Sequence, residues 1–167
     1  MSFFKTVEKR RSSRSFSTKH VEKSKISKIL KAAWTSPSSM GTQNYRVYIV
    51  DDASKKEKLV KAAHDQVYVN APLVLVFCTD PKRIKSMGAR GKNLFAVQDA
   101  TIAAAYAQLA ATALGLSSVW VGYFKEKTVA EILKTKLRPV AILPIGYSNE
   151  KPGPKEFQKM KDIFKKI

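Results

Sequence analysis

Between Asn93 and Leu114 the chain reads NLFAVQDATIAAAYAQLAATAL, an alanine-rich helix former that Gly115 closes in the usual terminal position. This run is apolar almost all the way round, so it has no face suited to water. It must lie inside a domain or inside a subunit interface. A chain of 167 residues is one domain by ordinary size, residues 1–167, and buries something like 70% of its unfolded surface. A helix of this kind therefore needs most of that interior, or a second copy of the chain, to cover it.

The other segments supply candidate covers. Phe3 to Lys9 reads as a short helix, and Ile26, Ile29, Leu30, Ala33 and Trp34 mark one face of a second, with lysines 23, 25, 28 and 31 toward water and Ser36-Pro37 ending it. YRVYIV at 45–50 reads as a strand, Ser54 to Gln66 as a helix, and PLVLVFCT at 72–79 as a central strand buried on both faces. Residues 80–92 are basic and irregular. SSVWVGYF at 117–124 and PVAILPIGY at 139–147 complete a set of four strands, with a short helix over Thr128 to Lys134 between them. The polar tail from 149 has the spacing of a last helix around Phe157, Met160, Ile163 and Phe164.

The single cysteine, Cys78, sits in the apolar strand and reads as a small buried hydrophobe. No signal peptide or membrane span is legible, which predicts a cytoplasmic protein. A net charge of +18 invites an anionic partner. The lysines are nevertheless spread along the whole chain, no nucleic-acid reading motif is present, and the aromatics lack an RNP-like pattern. Nucleic-acid binding is thus the rival class rather than the leading one. His20 and His64 have no metal-ligand spacing, there is no G-x-S-x-G elbow, and GARGKN at 88–93 lacks the spacer of a phosphate loop. The absence of G-x-G-x-x-G after a strand counts against a Rossmann site.

What remains is KRRSSRSF at residues 9–16, four cations and three hydroxyls in eight positions. Arginine forks hold phosphate oxygens bidentately and hydroxyls fill the remaining lone pairs, so the stretch suits a phosphate monoester. A plainer account is that these cations complement the negative end of the first helix.

Four segments in register bear on that choice: RRSSRSF at 10–16, SPSSMGTQNYRVYIV at 36–50, LFAVQDATIAAAYAQLAATALGLSSVWVGYF at 94–124 and LPIGYSNEKPGPK at 143–155. Together they resemble the nitroreductase family of flavin mononucleotide (FMN) enzymes, over nearly the whole chain. The resemblance implies an α+β fold, a mixed sheet flanked by helices around a long buried central helix, in an intertwined homodimer with its flavin sites at the subunit interface. It implies FMN as cofactor and NADH or NADPH as electron donor. The electrons would pass to a small-molecule acceptor such as a nitroaromatic or quinone, bound in alternation with the donor on one flavin face. Arg10, Arg11 and Ser12 match residues approaching the FMN phosphate, Arg14 the cation beside flavin N1 and O2, and Lys155 a further phosphate ligand. Ser38, Ser39 and Gln43 match the segment that reaches the flavin from the partner subunit. Gly122 and Tyr123 match the strand-end pair near flavin N5. Gly41 stands where the family commonly has asparagine, and Asn44-Tyr45 where it has Pro-Trp, beside the expected substrate pocket. Reductive dehalogenation and flavin remodelling are the specialised alternatives within the same family.

Overall fold

The computed structural model describes residues 2–151 and 153–166. Strand β2, Leu73–Thr79, is buried at every position, as its unbroken apolar run requires. It pairs antiparallel with β1, Tyr45–Val50, on one side and with β4, Pro139–Gly146, on the other, and the two-residue β3, Ser117–Ser118, adds to β4. The strand order is β1-β2-β4-β3. A parallel component enters through the bridge of Ser12 with Ser118.

Side chains alternate across a strand, so β2 feeds two cores. Leu73, Leu75 and Phe77 face helices α2, Lys23–Trp34, and α5, Ala96–Ala113, where Ile29, Ala33, Ala100, Ala103, Ala104, Ala107 and Ala111 are buried. Val74, Val76 and Cys78 face α3, Ala53–Ala62, and α6, Glu126–Ile132, with Leu59, Ala62 and Val129 buried. The alanines let α5 lie close on the sheet, and Leu116 N–H returns to the Ala111 carbonyl at 2.9 Å after Gly115 takes a φ of 77° to close the helix. Its opposite side is left partly open: Tyr106 is exposed, and with Leu109, Ala113 and Phe3 of α1, Phe3–Lys9, it lines an apolar cleft of about 520 Å³. The expected all-apolar helix thus divides into a face within the core and a face outside it.

Four local expectations shift. Residues 80–92 are not irregular: a 3-10 stretch, the turn α4 at Gly88–Arg90 and a π-helical segment at Gly91–Phe95 run directly into α5. Burial of Ile84 and the crowding at Gly91, where a Cβ would sit 2.5 Å from the Met87 Cβ, fix that path. α3 stops at Ala62 because His64 and Asp65 turn to φ 55° and 57°. The strand expected over 117–124 is ladder-paired only at Ser117–Ser118, with Val121 making an isolated bridge to Ile142. In the tail, α7 is the single turn Met160–Ile163, with its apolar residues exposed. Among the described residues no helix is long and apolar enough to cross a membrane.

Candidate functional site

The basic segment after α1 is extended and clamped at both edges. Ser13 N–H donates to the Ser118 carbonyl at 3.1 Å, and Ser17 N–H donates to the Tyr147 carbonyl at 2.8 Å. Alternation then sorts the side chains. Ser13 is buried, with its Oγ 2.8 Å from Ser148 Oγ and 2.9 Å from the Glu150 carboxylate, whereas Ser12 and Arg14 are exposed. The backbone N–H of Arg14 also donates to Glu150, at 2.6 Å. Glu150 thereby holds the inner side of the segment while its cations face outward.

At the N-terminal end of the segment three cations gather. Arg11 donates to the carbonyls of Glu8 and Gly153, and Lys155 Nζ donates to the Val7 carbonyl at 2.9 Å, which folds the tail back over α1. Arg10 occupies the position just past the last turn of α1. Partial desolvation, then the neighbouring Arg11 and Arg10, push the Lys155 ammonium below its ordinary range, with Glu8 opposing. An ammonium discouraged in this way by its cationic neighbours would be relieved by a nearby anion. Phe3, Phe4, Val7 and Phe157 complete the wall of an adjoining cleft of about 620 Å³.

Arg14 leads to a second set of residues. Its guanidinium lies 5.9 Å from the centre of the Tyr68 ring. The Tyr68 hydroxyl donates to Gln66 Oε1, and Gln66 Nε2 donates to the carbonyls of Ala63 at 2.6 Å and Tyr123 at 3.0 Å. Tyr123 stacks on His64 with ring centres 4.0 Å apart and planes 10° from parallel. The left-handed turn at His64 and Asp65 is what brings His64 out to that stack. Gly122 is exposed, and a Cβ there would meet only Trp120, at an ordinary 3.5 Å, so packing within the chain does not require a glycine.

Ser38, Ser39 and Gln43 form a third group, at the turn between α2 and β1. Met40, Gly41 and Gln43 take φ values of 53°, 65° and 50°. The two non-glycine residues each cost about 1 to 3 kcal/mol and need a surrounding that over-determines them. Ser38 Oγ accepts the Gln43 N–H at 2.9 Å, Gln43 Nε2 donates to the Trp34 carbonyl at 2.6 Å, and Thr42 Oγ1 donates to the Ser39 carbonyl at 2.7 Å. Ser38 and Ser39 line a cleft of about 480 Å³ with Val97, Gln98, Thr101 and Ile102 of α5.

The chain therefore brings Arg10, Arg11 and Lys155 together, leaves Ser12 exposed on the next stretch of the segment where it bridges Ser118, and connects Arg14 to Tyr123 and Gly122 through Tyr68 and Gln66. Among the described residues no hydrogen bond or shared cleft joins these to Ser38, Ser39 and Gln43. Glu150, Tyr68, His64 and Gln66 join the site from the structure. Their signal in the sequence is faint: Gln66 and Tyr68 follow the end of an ordinary amphipathic helix, and Glu150 stands in a polar stretch of turn formers.

The sequence and the fold have known counterparts. The model of the nitroreductase family matches residues 7–70 and 64–147, and the chain belongs to that family. It is 31% identical over 167 residues to a putative NADH dehydrogenase/NAD(P)H nitroreductase of Archaeoglobus fulgidus, covering 96% of this chain and 91% of the relative. It is 29% identical over 169 residues to an FMN reductase [NAD(P)H] of Bacillus subtilis, covering 90% and 68% of the two chains. Among solved structures, an FMN-dependent nitroreductase from Clostridium difficile superposes with a TM-score of 0.77 at 34% identity, covering 94% of this chain and 92% of that one.

Proposed function

We propose that the protein is an FMN-dependent NAD(P)H oxidoreductase that acts as a homodimer and passes electrons to a flat, electron-poor acceptor such as a nitroaromatic or quinone. The observation that carries this reading is the segment from Arg10 to Arg14. It sets a cluster of three cations at one end and a cation beside an aromatic group at the other, separated by about 13 Å of extended chain. That suits a ligand with a phosphate at one end and a ring at the other. Arg10, Arg11, Ser12 and Lys155 hold the phosphate, and the depressed ammonium of Lys155 is relieved by the anion it receives. Arg14 sets a fixed positive charge beside the ring. Gly122 leaves the ring room to approach the backbone next to Tyr123.

FMN, when bound there, supplies a ring that accepts hydride from a nicotinamide and releases electrons to a second compound. Donor and acceptor occupy the same face in turn, which removes the need for a separate dinucleotide domain. Ser38, Ser39 and Gln43, which the protomer keeps apart from its own cation cluster, reach the ring held by the partner. The uncovered apolar side of α5 supplies the surface for that pairing.

The purified protein is expected to be yellow, to release FMN on denaturation, and to bleach when NADH or NADPH is added without oxygen. Addition of a nitroaromatic or quinone afterwards restores the colour. A colourless protein that also fails to bind added FMN overturns the reading.

A further inference from the structure

Asp99, in α5, is 1% exposed, and among the described residues no salt bridge reaches it. An ionised carboxylate in such a place is costly unless donors satisfy it. Three do, and all come from the turn between α2 and β1. Ser39 donates to Oδ1 twice, from its N–H at 2.9 Å and its hydroxyl at 3.1 Å, and Asn44 Nδ2 donates to Oδ2 at 2.7 Å. Asn44 Nδ2 also donates to Thr42 Oγ1 at 2.6 Å, so the far end of the turn is braced internally as well. Three of the four residues between Ser39 and Asn44, namely Met40, Gly41 and Gln43, are at left-handed φ and would relax to ordinary backbone if either end came free. The carboxylate thus grips both ends of a strained turn and fastens it to the helix whose neighbouring Ala96, Ala100 and Ala103 are fully buried.

We propose that Asp99 is a positioning residue: by tying both ends of the strained 39–44 turn to α5, it presets the form in which Ser38, Ser39 and Gln43 meet the flavin held by a second copy of the chain. This rests on the flavin reading given above. Asp99 itself is shut away from solvent, and it acts only through the turn. Its conservative replacement is also informative. In Asp99→Asn the remaining carbonyl oxygen still accepts from Ser39, and Asn44 Oδ1, buried and without a partner, can rotate to accept from the new amide.

Two measurements on the apo-protein and its FMN titration test the idea: amide hydrogen exchange across residues 38–44, and the FMN dissociation constant. In Asp99→Ala, exchange at 38–44 is expected to quicken by about tenfold or more while β2 and β4 keep their protection. FMN binding is expected to weaken by about tenfold. Asp99→Asn should stay within about threefold of wild type on both counts. If Asp99→Ala does not fold, Asn44→Ala, which frees one end of the turn, takes its place with the same expectation for exchange. Unchanged exchange and unchanged FMN affinity in a folded Asp99→Ala protein overturn the proposal. So does an equal loss in the alanine and asparagine variants with protection falling throughout the sheet, since that is a purely structural role. A wild-type protein that binds no FMN at all would sink the flavin reading instead, and the exchange result alone would then decide whether Asp99 sets the turn.

Discussion

Glu150 accepts the backbone N–H of Arg14 at 2.6 Å, so a carboxylate from beyond β4 fixes the main chain of the residue whose side chain reaches Tyr68. That hydrogen bond first, then the Ser13 hydroxyl, holds the Glu150 carboxyl below the usual carboxylate range. A carboxyl depressed in the folded state stabilises the fold above its unfolded value and stops doing so as pH falls through the folded one. Wild type should therefore melt at a higher temperature than Glu150→Ala at neutral pH, and the two should converge in acid. Thermal melts across that range check this, and a gap that persists in acid would mean the side chain acts through packing rather than charge.

The two ends of the basic segment should respond to different parts of the ligand. Changing Arg10 and Arg11 together to Ala should weaken FMN binding by about 1.5 to 3 kcal/mol for each charged hydrogen bond lost. Riboflavin, which lacks the phosphate, should bind nearly as before. Arg14→Ala should weaken both ligands. Fluorescence titrations with FMN and riboflavin separate these outcomes, and equal losses in the double variant would assign Arg10 and Arg11 to the end of α1 instead.

If Lys155 holds the phosphate as proposed, it should make FMN binding sensitive to pH. In the free protein its ammonium is depressed by desolvation and by Arg11 and Arg10, and a bound phosphate reverses that shift. A group that gains its proton more readily in the complex makes binding stronger below its free-state value and weaker above it. FMN affinity measured upward from neutral, where the phosphate is already largely dianionic, should decline on the alkaline side. Lys155→Met should bind less tightly and flatten that decline. Identical profiles for the two proteins would remove Lys155 from the site.

Cys78 gives a test of the interior. It is fully buried on β2, and desolvation pushes its thiol up to about 12. A thiol-specific reagent at mildly alkaline pH should leave it untouched in the native protein and label it stoichiometrically in denaturant. Prompt labelling of the native protein would contradict the two-sided burial of β2.

The elements that a single sequence made legible are those whose pattern is enforced by their own neighbours. The unbroken run Leu73 to Thr79 could only be a covered strand, and most of the alanines of α5 are interior, as an alanine-rich apolar run requires. The basic stretch at 80–92 misleads because its helical path depends on Ile84 and Gly91 fitting against each other, a contact that polarity does not announce. Val119 and Val121 look like a full strand because they are buried and β-branched, yet Val121 makes only an isolated bridge to Ile142 of β4 and Val119 only a single hydrogen bond to the Pro144 carbonyl. In the site, the cations of 10–14 are visible because charge is clustered along the chain. Gln66, Glu150 and Asp99 are not, since each acts through partners more than fifty residues away.

The separation of Ser38, Ser39 and Gln43 from the cation cluster also has a genetic reading. In a two-fold symmetric pair each pocket would draw one half from either chain. On the proposed dimer, a copy lacking Arg10 and Arg11 and a copy lacking Gln43 would each be inactive alone, but together they would form one pocket carrying both lesions and one carrying neither. Random assortment of the two mutant copies would restore roughly a quarter of all pockets. Two recessive alleles of this gene could thus complement each other within a single reading frame, as though they belonged to different genes.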